Sequence, residues 1–138
     1  LSATWGLMDT AIVRILRATG RAAEADRRAA EALKRLRPEE RTEDETCTWQ
    51  FWEGGPLAHA SLAANEGLRE DAVRTLRLAM KCGDLPFGFW PQLPWFKSLE
   101  GYAPYDELLR ERERRIESMR AELLALETSG VAPGPAAK

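Results

Sequence analysis

Apolar and polar residues alternate with helical spacing at the start of the chain. In LMDTAIVRILRAT (7–19) one face is apolar and the opposite face is polar and basic. Positions three and four residues apart share a helix face, so this pattern predicts an amphipathic helix that ends at Gly20. The next segment, RAAEADRRAAEALKRL (21–36), consists almost entirely of strong helix formers and ends before Pro38. Two helices that meet at one glycine are therefore predicted.

The same pattern returns after a polar stretch and a cluster of aromatic residues. Pro56 suits a first helical position, LAHASLAANE follows it, and Gly67 ends this third helix. The fourth helix is predicted in LREDAVRTLRLAMKC (68–82). Gly20 and Gly67 lie 47 residues apart, and the pairs Ala25/Ala72 and Ala32/Ala79 have the same offset. A fixed offset of this kind predicts a helical repeat in which each helix pair packs against the next.

The whole pattern predicts one all-α domain over residues 1–127. Its parts are repeat pairs at about 7–36 and 56–83, an insertion at 37–55, a capping segment at 84–103, a C-terminal helix at 104–127 and a flexible tail at 128–138. The tail is expected to be flexible because GVAPGPAAK is too rich in Gly, Pro and Ala to pack. A short helix is expected near 95–100, and strands are expected to be absent.

The spacing of small residues resembles a known family. In GRAAEADRRAAEA (20–32) and GLREDAVRTLRLA (67–79), an Ala follows the Gly by five residues and another Ala follows seven residues later. This spacing is similar to the second half of a tetratricopeptide (TPR) repeat, whose unit is about 34 residues long. The resemblance implies a TPR-like fold of two helix-turn-helix pairs that binds other proteins, with an insertion of about 13 residues in the first unit.

The end of the chain resembles a more particular member of that family. The segment GDLPFGFWPQLPWFKSLEGYAPYDELLRERERR is similar to the closing part of tetratricopeptide blocks that follow a nucleotide cyclase or a winged-helix domain in some bacterial regulators. Leu99, Tyr105, Leu108 and Leu109 match that layout. The resemblance implies the C-terminal part of a longer bacterial signalling or transcriptional regulator. An opening LSATWG without an initiator Met agrees with that expectation.

Composition narrows the classes of function. The 138 residues are 44% hydrophobic and 30% charged, with a net charge of −2. No apolar run approaches the roughly 20 residues that a membrane span needs, and no strongly basic segment predicts nucleic-acid binding. Cys47 and Cys82 are 35 residues apart and no signal peptide is visible, so a disulfide is not expected and the cytoplasm is the predicted location.

No catalytic or metal site is predicted. His59 is the only histidine and has no Cys or His at ligand spacing, so a zinc site would lack donors. The glycines form neither of the common phosphate-binding motifs, and the abundant carboxylates are expected to be solvated. We therefore expect no enzyme activity and no cofactor, with any chemistry in an upstream domain.

A partner-binding groove is the first candidate site. In tetratricopeptide-like stacks the first helix of each pair lines a concave groove, and this rule, carried over by position, selects Thr10, Arg14, Arg17, Ser61 and Asn65. Two arginines one turn apart can bind a carboxylate, so an acidic peptide segment is the expected partner. The alternative is that these arginines form the solvated face of an amphipathic helix.

The aromatic segment at 87–96 is the second candidate site. Pro86 just before it and Pro91 and Pro94 within it prevent a continuous helix, so the side chains lie on an irregular turn after the last repeat helix. They cap the stack in the plainer interpretation, which expects Trp90 and Trp95 to be buried and Trp95→Ala to cost about 3 to 5 kcal/mol. Phe87, Phe89, Trp90, Trp95 and Phe96 could instead line an apolar pocket for a small molecule or peptide, which would make the chain a sensor or a small enzyme.

The C-terminal helix supplies the third candidate. Apolar residues recur there every seven residues in two series, and the two series together form a seam along one side of the helix. Arg112 is a charged interruption of this seam. The seam residues are Leu109, Ile116, Met119, Leu123 and Leu126. A homodimer through this seam would make the chain a structural dimerisation cap, and a helix that folds back onto its own repeats is the alternative.

Overall fold

The computed structural model describes residues 4–37, 45, 47, 55–82 and 90–130. Within these ranges the chain forms five α-helices and two short 3-10 helices, with no strand. The α-helices are α1 (Thr4–Ala18), α2 (Ala22–Arg35), α3 (Gly55–Asn65), α4 (Arg69–Lys81) and α5 (Ala103–Thr128); the 3-10 helices are Trp90–Gln92 and Pro94–Leu99. The all-α prediction is confirmed, and most of the 37–55 insertion and of the tail lies outside the described residues.

The two helix hairpins turn in the same way. Gly20 has φ of 81° and Gly67 has φ of 78°, a left-handed conformation that glycine adopts without a steric penalty. After each glycine the chain closes the turn with a matching hydrogen bond: Arg21 N–H to the Leu16 carbonyl at 2.8 Å, and Leu68 N–H to the Ala63 carbonyl at 2.9 Å. This bonding pattern satisfies the last carbonyls of a helix. The predicted recurrence thus extends to backbone hydrogen bonds 47 residues apart.

Each hairpin encloses a cleft lined by small and medium apolar residues. The first cleft is lined by Val13, Leu16, Ala25, Ala29 and Ala32, and the second by the residues at the same offset, Ala60, Ala63, Ala72, Leu76 and Ala79. All ten are buried. Leu62 of α3 fills the first cleft, whereas Phe96 and Leu99 of the second 3-10 helix pack into the cluster of the second. The element that follows each hairpin therefore completes its core.

Helix α3 lies at the centre of the domain. It packs against α1 and α2 on one side and against α4 and the Pro94–Leu99 helix on the other, and nine of its 11 residues are buried. A helix that is apolar on all sides belongs in a core. Because α3 is mostly Ala and Leu, its neighbours approach closely from every side.

A disulfide joins Cys47 to Cys82, which is the C-cap residue directly after α4. The sequence-based prediction of unpaired thiols is therefore wrong. Its argument relied on separation along the chain, but a bridge depends on separation in space, and here the Cα atoms are 5.0 Å apart. The argument for a reducing compartment loses this support.

The last helix extends beyond the domain. It covers Ala103–Thr128, within one residue of the predicted bounds at each end, and only Tyr105 and Leu108 along it are buried. From Arg120 onwards every described residue is exposed. Over the described residues, no helix combines the length and the apolar character needed to cross a membrane.

Candidate interaction surfaces

The proposed groove residues lie at the contact between α1 and α3, and only some of them reach solvent. Arg14 is exposed and its Nη1 donates to Asn65 Oδ1 at 3.0 Å. Thr10 and Ser61 are fully buried, and Ser61 Oγ donates to the Leu57 carbonyl at 2.7 Å. The prediction that these two line an accessible groove is wrong, because the hairpins pack together on this side of α1.

Arg17 is paired with carboxylates of this chain, whereas the sequence analysis expected a carboxylate of a partner. Its two terminal nitrogens donate to the two carboxylate oxygens of Glu66 at 2.7 and 2.5 Å, and one of them also lies 2.9 Å from Asp26 Oδ1. The hydrogen bond to Glu66 and then that to Asp26 raise the pKa of Arg17 above its ordinary value. A partner's carboxylate would have to displace Glu66, so the two-arginine clamp is not free.

A buried carboxylate that the sequence analysis did not select joins α1 to α2. Asp9 is almost completely buried, and its Oδ1 accepts hydrogen bonds from Arg28 Nε at 3.2 Å and Nη2 at 3.1 Å. Arg35 donates to the other oxygen. Arg28 and Arg35 are seven residues apart on one face of α2, which is the one sequence signal that could have indicated a shared anion. Every charge in the triad has a partner, as buried charges require.

Asp9→Asn should lower the free energy of unfolding by about 1 to 3 kcal/mol, since the two arginines would then share a neutral partner. Asp26→Asn is a matched control, because Asp26 is an exposed carboxylate on an arginine and should cost less than about 1 kcal/mol. Urea denaturation followed by circular dichroism measures both. Equal effects of the two substitutions would show that burial does not strengthen the Asp9 contacts.

His59 is packed inside the domain. Its Nε2 lies 2.8 Å from Asp71 Oδ2, and Arg74 donates to the other carboxylate oxygen. Burial acts to raise the pKa of Asp71, but the hydrogen bonds from His59 and Arg74 outweigh it and hold this pKa below its ordinary value. Asp71 lines a shallow depression of about 370 Å³ at the start of α4. Its wall consists of Leu68, Arg69, Glu70, Asp71 and Arg74. A pair of side chains beside an open depression does not define a reaction.

Two of the aromatic residues belong to the core. Trp90 and Phe96 are buried, with their ring centroids 5.5 Å apart and edge to face, and Tyr105 contacts Trp90 at 6.3 Å. Trp95 is only partly buried at the edge of this cluster. Trp90 is buried as the capping interpretation expects, and Phe96 is buried with it; Trp95 packs against the same cluster but is less buried, because Pro94 and Trp95 start a 3-10 helix that turns Phe96 inwards. Phe87 and Phe89 lie outside the described residues.

The seam of α5 is divided between the domain and solvent. Leu109 packs against the core, and the guanidinium of Arg112 lies over the Trp90 ring, 6.0 Å from its centroid. Ile116 and Met119 are partly buried. Leu123 and Leu126 are 61% and 52% exposed. The charged interruption of the seam is thus a contact within this domain, and the apolar part beyond it has little cover.

The described residues hold no group of three or more His, Cys, Asp or Glu side chains that could bind a metal ion. Comparison with known proteins leaves the family open. No protein-family model, curated protein or solved structure matches the chain. The resemblance to tetratricopeptide repeats therefore rests on the residues alone.

Proposed function

We propose that this chain is a protein–protein interaction module built on a tetratricopeptide-like repeat. Support comes from the two hairpins, which share turns, clefts and a 47-residue offset. As the resemblance implies, the module would be the regulatory C-terminal part of a longer bacterial signalling or transcriptional regulator, and any catalysis would take place in another domain. The burial of Trp90 and Phe96 favours this proposal over an aromatic ligand pocket.

The observation that carries the proposal is the apolar stripe of α5. Tyr105, Leu109 and Arg112 pack on the domain, and residues at the same helical spacing continue the stripe after the domain ends. We call residues 116–128 the overhang. With roughly 1.5 Å of rise per residue it extends about 20 Å. Exposed leucines in line with a packed face are typical of a surface that another helix covers.

The neighbouring charges indicate which helix would fit. Two parallel copies of α5 paired along this stripe would place Arg115 against Arg120 and Glu122 against Glu127, in the positions that flank a coiled-coil seam. Two antiparallel copies centred on the overhang would place Arg120 against Arg120 and Glu122 against Glu122. Like charges oppose each other in both arrangements, so a different helix with the reverse charges fits better than a second copy.

Two synthetic helices test this proposal directly. One has the sequence of residues 113–130 with Arg115→Glu, Arg120→Glu, Glu122→Lys and Glu127→Lys, and the other keeps the native charges. We expect the charge-reversed peptide to bind the full chain and the native peptide to bind at least about tenfold more weakly, because each like-charge contact is replaced by an attractive one. Chemical-shift changes in α5 during an NMR titration detect even millimolar binding.

Leu123→Glu with Leu126→Glu in the full chain should abolish this binding, since each substitution replaces an apolar side chain of the stripe with a charged one. Arg110→Glu is the matched control, because Arg110 is exposed on α5 and pairs with Glu107 away from the stripe. If the native peptide binds better and the chain sediments as a dimer, the homodimer predicted from the seam is correct and a different helix is not needed. If neither peptide binds, the overhang is not a helix-binding surface.

A further inference from the structure

The apolar face of helix α1 is wider than the part of it that the described residues cover. Val13 and Leu16 face the first cleft and are buried, whereas Ile15 is 60% exposed and Met8 is 45% exposed. Met8, Ala11 and Ile15 are spaced by three and four residues, so they share one side of the helix. Single exposed apolar residues are common, but an apolar face that continues beyond its buried part is typical of a helix with a further packing partner.

The 47-residue offset relates this exposed face to one that is already buried. Ile15 corresponds to Leu62, and Ala11 corresponds to Ala58. Leu62 is 0% exposed because it fills the cleft between α1 and α2, and Ala58 is buried beside it on α3. Ile15 therefore has the same position on α1 as Leu62 has on α3, and Leu62 is the residue that fills the preceding cleft.

The two clefts of this chain are both filled. Leu62 occupies the first, and Phe96 with Leu99 packs into the second. A second copy of the chain would therefore offer no open cleft to Ile15 among its described residues. The occupant has to be a hairpin whose cleft is still open on the side facing α1.

We infer that the exposed face of α1 docks into the cleft of another helix hairpin of the same repeat, placed before α1 in the same polypeptide at the same offset. Its cleft would be lined by Ala, Val and Leu, like the one between α1 and α2, and Ile15 would fill it as Leu62 fills the first. The contact continues the interface between the two hairpins in the opposite direction, and it is separate from the overhang of α5.

The inference can be tested by extending the chain with its own first unit. Residues 1–47, with Cys47→Ser in this added copy, are placed ahead of Leu1 so that the 47-residue offset is kept. We expect the added unit to fold and to shift the urea midpoint upwards. Ile15→Glu in the original unit should then weaken docking by roughly tenfold or more, since it removes a buried Ile. The same substitution in the unextended chain should leave the midpoint nearly unchanged, because Ile15 is exposed there.

A second extended chain with Met8→Ala in the original unit allows for a steric obstacle, since Gly55 stands at the corresponding position of α3. If the added unit gains no helical circular dichroism in either extended chain, the inference is wrong. It is also wrong if Ile15→Glu has the same small effect in the extended and unextended chains. A dimer of the unextended chain that Ile15→Glu dissociates would assign the face to a second copy instead.

Discussion

Phe96→Ala should lower the free energy of unfolding by about 3 to 5 kcal/mol, the range found when a large buried aromatic residue is truncated. Phe96 is fully buried between α3, α4 and the Trp90 ring. It packs into the second hairpin where Leu62 packs into the first, and the substitution would leave a cavity that small neighbours such as Ala60 and Ala63 are too short to fill. Urea denaturation followed by circular dichroism gives the change.

Trp95→Ala is the control for this prediction, because Trp95 is a neighbouring and larger aromatic residue that is only partly buried. It should cost clearly less than Phe96→Ala. A ligand pocket lined by both residues would make both losses small, since pocket aromatics are not needed for folding. A loss of less than about 1 kcal/mol for Phe96→Ala would therefore contradict the capping role of Phe96.

The helices could be predicted from the sequence because local signals agree with one another. Gly20 and Gly67 each follow a run of helix-forming residues, and the left-handed conformation that ends the helix is one that glycine adopts easily. The recurrence of Ala25 at Ala72 indicated that both hairpins have closely packed backbones. These are properties of neighbouring residues, so they need no knowledge of how the hairpins are arranged.

The candidate sites could be predicted only in part, because they depend on how the hairpins meet. A helical pattern places Thr10 and Arg14 on one polar face, but it does not show that α3 covers Thr10 and leaves Arg14 exposed. The carboxylate that binds Arg17 is 49 residues away in the sequence, at Glu66. Likewise, the pairing of Cys47 with Cys82 depends on where the fold places Cys47 relative to the end of α4.

Reducing the Cys47–Cys82 bridge should lower the free energy of unfolding by about 4 kcal/mol. The bridge closes a loop of 35 residues, and the figure is the loss of conformational freedom that such a loop imposes on the unfolded chain. The measurement compares urea denaturation with and without a phosphine reductant. The double variant Cys47→Ser, Cys82→Ser is the control, because it should have the stability of the reduced chain and should not respond to the reductant.

The effect should be concentrated in the unfolded state, since Cys82 N–H bonds to the carbonyls of Leu78 and Ala79 and thereby closes α4 without the bridge. Both hairpin clefts should therefore keep their packing after reduction, and the helical circular dichroism signal of the folded chain should stay unchanged. If reduction leaves the stability unchanged, the bridge does not stabilise the folded protein. A loss near the expected size, with the serine variant insensitive to reductant, would show that the Cys47–Cys82 bridge forms and stabilises the fold.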